Sequence, residues 1–465
     1  MLFAYAVVMG LLLIGNSGFA AEETALDRYV AKPDDSYKWE LVRTISDDGY
    51  TGFVLDLTSQ TWRNETEIDR PVWHHWLTIV KPDNVDYNTA LLYIDGGKNG
   101  GEPPAEVSQR FVDLAIGTNT VIAQVRMVPN QPLFFADSKR HGRSEDDLIA
   151  HSRVKYIVTK DEEWLARLPM VKSAVRAMDA VQEFMKSEAG GEIPIEGYVV
   201  SGGSKRAWTA WLTPIVDERV VAIIPLVIDA LNIEDITRHH YNAYGFFSTA
   251  LGDYVRHGLY PGRLGTPDFA RILDIEDPYN YRHRDSLKLP KYLINASGDQ
   301  FFLPDNSQYY FSEMPGEKYL RYVPNTRHNL GDSDARQTML AFYESILRGL
   351  ELPEFSWKIR DDGSISVKVN QVPKEVNLWQ ATNPEARDFR LDTIGPAYVS
   401  SPLTADDNGA YVARINKPEQ GFTAFFVELV YDLGLQYPLK FTTDVKVIPD
   451  IEPYNLDEAE EIVLR

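Results

Sequence analysis

The chain has 465 residues, with 68 Asp and Glu against 47 Lys and Arg, a formal charge of -21 and no cysteine. That length gives material for two or three domains and a large core, so stability without disulfides is no difficulty. Such acidity argues against a nucleic-acid partner, which needs basic patches, and against adsorption to an anionic membrane.

In chain order, the apolar stretch Leu2–Gly15 leads into Asn16-Ser17-Gly18-Phe19-Ala20, with small residues where a signal peptidase reads. Residues 1–20 are expected to be a secretory signal, which makes the protein exported, either periplasmic or secreted. The segment has no Lys or Arg in its n-region, so a retained anchor is the alternative. The stretch is short for a membrane span, however, and no stable insertion is expected after cleavage. Alternating residues at Lys38–Arg43, Gly52–Leu57 and Trp73–Val80 predict antiparallel strands. From about residue 90 strands and helices alternate, the pattern of a mostly parallel α/β sheet.

The strand Ala90–Asp95 opens onto Gly96-Gly97-Lys98-Asn99-Gly100-Gly101, a loop whose backbone can approach a ligand closely. After the strand Thr120–Val125, the loop Pro129–Asp147 holds Arg140 and Arg143, either of which can clamp a carboxylate. A long amphipathic helix starting at Leu168 precedes the most informative segment, Gly197-Tyr198-Val199-Val200-Ser201-Gly202-Gly203-Ser204-Lys205-Arg206-Ala207-Trp208. A β-branched run that breaks on glycines and a serine and then turns helical has the form of a nucleophile elbow. The usual pattern is G-x-S-x-G. Here Arg206 stands at the last glycine's place, with small Ala207 next to it.

Past the strand Val220–Ile228, residues 232–285 lose the alternation and become aromatic-rich, as expected of a helical cap. Tyr241 and Tyr244 are candidates for lining a substrate pocket, or else they pack the cap. The adjacent His239 and His240 lack metal-ligand spacing, and no metal or cofactor is expected. The strand Tyr292–Ala296 leads into Ser297-Gly298-Asp299, and Lys318–Val323 into Pro324-Asn325-Thr326-Arg327-His328. From Phe355 onward, short alternating runs with turn signals predict an immunoglobulin- or fibronectin-like β-sandwich. The expected division is therefore a hydrolase domain over 21–352 and an all-β domain over 353–465.

The order Ser, acid, His is that of α/β-hydrolase triads, and each candidate follows a strand's C-terminal end, where open α/β sheets place their chemistry. Ser204 needs an imidazole to take its proton, His328 is the only histidine after Asp299, and the acid must orient that ring. Asp305 and Asp229 remain alternative acids. Charge developing on the carbonyl oxygen calls for an oxyanion hole. The Lys205 N–H is one donor, and the loop at Gly97 and Lys98, or Asn99, offers the other.

These segments, together with the opening Leu26-Asp27-Arg28-Tyr29-Val30-Ala31-Lys32-Pro33-Asp34, resemble the PhoPQ-activated pathogenicity-related protein family over nearly the whole mature chain. The resemblance implies an exported α/β-hydrolase and reinforces fold and triad more than substrate. The expected activity is that of a serine hydrolase working through an acyl-enzyme on a small-molecule ester. A peptidase or amidase, or a non-catalytic secreted binding protein on the same scaffold, are the alternatives.

Overall fold

The computed structural model describes residues 23–138 and 141–465. The expected signal segment and Arg140 lie outside the described residues.

Nine strands build the central sheet: β1 (Lys38–Asp47), β2 (Tyr50–Thr61), β3 (Val72–Pro82), β4 (Thr89–Ile94), β5 (Ile122–Val125), β6 (Gly197–Gly203), β7 (Val220–Leu226), β8 (Lys291–Ala296) and β9 (Lys318–Val323). Their order is β1-β2-β3-β5-β4-β6-β7-β8-β9. The β1-β2, β2-β3 and β3-β5 pairs are antiparallel, and every pair from β5 to β9 is parallel. The swap of β4 and β5 and the antiparallel lead-in make this an α/β-hydrolase-like fold.

The buried strands show why the β-branched runs are continuous. Successive residues point to opposite faces, and both faces are covered by helices. Leu92, Val200 and Ile223 join the cluster that contains Val171, Ala207 and Trp211 of helices Arg167–Lys186 and Lys205–Val216. Leu91, Val199 and Ile224 join the cluster on the other face, with Phe111 of helix Gln109–Thr118 and Phe342 of helix Ala335–Leu347. Among the described residues no helix is long and apolar enough to cross a membrane.

Between β7 and β8 the chain runs through helices Ile233–Tyr244, Gly252–Arg256 and Pro267–Glu276. The insertion is tied down from two sides. Asp27, in the first turn of helix Ala25–Ala31, accepts from Arg284 at 2.7 Å. At the far end of the chain, Phe247 N–H donates to the Val463 carbonyl, while Arg465 N–H and Thr249 N–H close the pairing with Phe247 and Arg465 carbonyls at 3.0 Å.

The last region is rich in strands: β10 (Phe355–Ile359), β11 (Ile365–Val369), β12 (Glu375–Asn383), β13 (Val399–Pro402), β14 (Tyr411–Ala413), β15 (Phe422–Tyr431), β16 (Leu439–Thr442) and β17 (Lys446–Ile448). They form two layers. The β10-β11-β14 layer stands alone, but the other continues the central sheet as β9-β16-β15-β12-β13, with β17 also on β15. Ile365, Val367 and Ala413 share an apolar cluster with Phe425, Val427 and Leu429. The region is rich in strands, but hydrogen bonding of one layer onto β9 departs from the free-standing sandwich expected from the sequence. Alternation within a strand sets which face is buried but not which strand lies alongside. At that junction Arg321 of β9 donates to Glu428 of β15 and, at 3.0 Å, to Asp334, which also pairs with Lys440 of β16 at 2.6 Å.

Candidate active site

β6 ends at Gly203, and Ser204 takes φ 56 and ψ −126, a backbone state that a non-glycine residue holds only under strain. Helix Lys205–Val216 starts at the next residue, so the serine stands between strand and helix. A Cβ on Gly202 would lie 3.0 Å from backbone atoms of Arg206, a tight approach that favours glycine there. Arg206, where the elbow departs from the pattern, lays its guanidinium over Gly96, where an added Cβ would meet Nη2 at 2.8 Å. It grips Glu145 through two bonds of 2.7 Å and donates to the Val128 carbonyl. Lys205 Nζ pairs with the same Glu145 at 2.9 Å and with Asp146 at 3.1 Å.

Glu145 therefore anchors both residues that open the elbow helix. Burial pushes its carboxyl up, but the bonds from Arg206 and the charge of Lys205 outweigh this and bring it down to about 2 from 4.5. A depressed carboxylate adds stability above its unfolded value that is lost as pH falls toward the folded one. Glu145→Gln is accordingly expected to melt several degrees below wild type near neutral pH. The gap should close between about pH 4.5 and about pH 2 in thermal unfolding scans, and a gap that stays constant would refute the anchor.

His328 Nδ1 lies 2.7 Å from Asp299 Oδ2, and Asp299 is 3% exposed. The carboxylate is itself held, since Oδ1 accepts from Phe301 N–H at 2.7 Å. The opposite ring nitrogen, Nε2, is buried and has no hydrogen-bond partner. Phe301 packs against the imidazole with ring centroids 4.4 Å apart, and Phe301 and Phe302 also wall the small cavity that holds Ser204.

The other two acids are engaged elsewhere. Asp305 is buried between His239 at 3.0 Å and Arg387 at 2.5 Å; burial would raise its pKa, but these partners hold it well below the usual range. Asp229 accepts from the hydroxyls of Tyr310 and Tyr322 at 2.6 Å. Burial, opposed by those two bonds and helped by the nearby charges of Asp299 and Asp444, pushes it up to about 8, so it is largely protonated at neutral pH. Of the three acids, Asp299 is the one that meets His328.

The β4 loop lies alongside the elbow because Ile94 pairs with Gly202. Asp95, in the place of the histidine of an HGGG-type loop, accepts from Gly96 N–H, Arg110 and Gln124, which fixes the start of the turn. Gly97 has φ 147, and a Cβ there would meet Met127 Cγ at 3.0 Å. Asn99 N–H is taken by the Gln131 carbonyl at 2.5 Å, leaving Gly97 and the exposed Lys98 as the loop's candidates. Lys205 N–H, in the first turn of its helix, has no carbonyl one turn behind it to bond.

The cavity beside Ser204 measures about 40 Å³ and is lined by Trp208, Ile228, Tyr254, Tyr260, Phe301 and Phe302, with Arg153 and Arg167. Tyr241 and Tyr244 are not part of that lining. Tyr241 packs on Phe247, and Tyr244 on His240 and Phe246, inside the cap. Arg143 is committed to Asp147 at 2.7 Å. His239 bridges Asp305 and Glu452, while His240 accepts from Ser248 N–H; the two rings serve separate hydrogen bonds. Among the described residues no cluster of three or more His, Cys, Asp or Glu side chains could hold a metal ion. The cavity arginines were not visible as site residues in the sequence. Their one signal is a charge set among Leu148, Ile149 and Ala150, or beside Leu168 and Met170, on helices that are otherwise apolar on that side.

Several known proteins resemble this chain. Autocrine proliferation repressor protein A of Dictyostelium discoideum is 36% identical over 460 residues, covering 93% of this chain and 92% of that one. Among solved structures, an acetyl xylan esterase from Paenibacillus sp. R4 matches with a TM-score of 0.49 at 13% identity, over 70% of this chain and 96% of that chain. Acetyl xylan esterase 1 from Thermoanaerobacterium sp. JW/SL YS485 matches with a TM-score of 0.45 at 16% identity, over 68% and 92%. Residues 26–390 match the family described as PhoPQ-activated pathogenicity-related protein. With that match spanning the elbow, the Asp299 turn and the His328 loop, the chain belongs to the PhoPQ-activated pathogenicity-related protein family.

Proposed function

We propose that the protein is an exported serine hydrolase that cleaves esters through an acyl-enzyme. Ser204 Oγ attacks the carbonyl carbon while His328 Nε2 takes its proton, and Asp299 holds the ring in the tautomer this requires. The N–H groups of Lys205 and of the Gly97–Lys98 loop bind the oxyanion. The ester C–O bond then breaks, and the leaving alkoxide receives the proton from His328. Water, deprotonated by the same imidazole, attacks the acyl carbon, and the imidazolium returns that proton to Ser204 Oγ as the acid is released. The observation that carries this reading is the 2.7 Å His328–Asp299 contact, with the opposite nitrogen buried and unbonded behind the phenylalanines of the Ser204 cavity.

A cavity of about 40 Å³ favours short acyl groups and hence esters over peptide side chains. A peptidase remains the alternative. Export rests on the apolar leader at residues 1–20 and fits the name of the Dictyostelium relative, an autocrine repressor protein. Residues 21–352 make the hydrolase unit with its cap at 232–285, and 353–465 an accessory β region that braces the sheet edge.

A fluorophosphonate probe tests the nucleophile on purified mature protein. Wild type is expected to label, and folded Ser204→Ala and His328→Ala not to label. An unlabelled, folded wild type would favour a secreted binding protein instead.

A further inference from the structure

Two arginines beside Ser204 share a single carboxylate. Arg153 Nε donates to Glu276 Oε2 at 2.8 Å, and Arg167 Nε lies 3.9 Å from the same oxygen. All three side chains are essentially buried, at 1%, 3% and 0% exposure. Arg153 Nη1 and Arg167 Nε have no hydrogen-bond partner, and neither does the other oxygen of Glu276, Oε1. The remaining cation at the cavity, Lys205, is already matched by Glu145 and Asp146. One buried positive charge is thus left over, with two N–H donors unmet, in a place where each unmet donor is costly. Burial draws the pKa of Arg167 down, with Glu276 opposing but not offsetting it. Arg167 is held in place by the face of Trp208, 3.9 Å from its ring centroid, and by the Lys205 carbonyl at 3.4 Å, so the excess charge adjoins the elbow itself.

We infer that Arg153 and Arg167 form an anion subsite in the Ser204 cavity, and that the substrate carries a carboxylate on the short group that enters it. This rests on the reading of Ser204 as nucleophile. A volume of about 40 Å³ holds roughly three water-sized groups, the size of a carboxylate on one carbon. Planar guanidinium groups match that carboxylate by charge and geometry, whereas a neutral acyl chain would leave both donors unsatisfied.

The test is calorimetric titration of the full protein with succinate and with succinamide, the diamide of the same size that carries no carboxylate. Succinate is expected to bind about tenfold or more tightly, a difference that should vanish in Arg153→Gln and Arg167→Gln. Equal binding of the two probes by wild type, or no binding of either, overturns the subsite without recourse to any variant. A preference that survives both substitutions places the anion elsewhere and overturns it too. Absence of fluorophosphonate labelling in a protein that still prefers succinate would end the hydrolase reading and leave the subsite standing. Labelling without the preference would do the reverse.

Discussion

Asp299→Asn is expected to lower kcat on an activated ester by about 10⁴-fold with little loss of melting temperature. The hydrogen bonds fix the outcome. Asp299 Oδ1 accepts from Phe301 N–H, so an asparagine keeps its oxygen there and presents its NH2 group to His328 Nδ1. A donor facing Nδ1 forces the ring proton onto Nε2, the atom that must accept the proton from Ser204. The amide cannot escape by flipping, since that would set its NH2 against the Phe301 N–H. Steady-state kinetics with a nitrophenyl ester, set beside thermal unfolding, check the prediction. A loss smaller than about tenfold would transfer the role to another acid.

Arg321→Met is expected to cost about 3–5 kcal/mol of stability, because it leaves Glu428 buried and unpaired. Arg321 is 1% exposed and Glu428 3%, and the pair connects β9 to β15. Burial alone would push Glu428 upward, but Arg321 outweighs it and holds the carboxyl below its usual 4.5. Its contribution is therefore present above about pH 4.5 and fades as pH falls further. The double variant Arg321→Met with Glu428→Leu should recover most of the loss, because two apolar groups replace two charges. Urea unfolding of the three proteins measures this. A double variant as unstable as the single one would contradict the account.

The sequence pointed to the residues at the strand ends more readily than to the walls of the cavity. A β-branched run, a glycine two places before Ser204, and the order of Asp299 and His328 are local signals tied to strand ends, and the strands fall where the alternation put them. Choosing among Asp299, Asp305 and Asp229 was beyond the sequence. That choice depends on partners as distant as Arg387 and Tyr310. Tyr254 and Tyr260 line the cavity while Tyr241 and Tyr244 pack the cap, although all four are aromatic residues of one insertion. The pairing of β16 with β9 was hidden for the same reason: Leu320 and Thr442 meet across more than a hundred residues of chain.

The strap of residues 463–465 across Phe247 and Thr249 bears on kinetics. A cap joined to its base only through its own two ends can swing, and entry then depends on how often it opens. Here swinging would first have to break main-chain hydrogen bonds to residues 463–465. Admission to Ser204 should therefore discriminate by molecular size, with bulky esters excluded at every concentration instead of merely delayed.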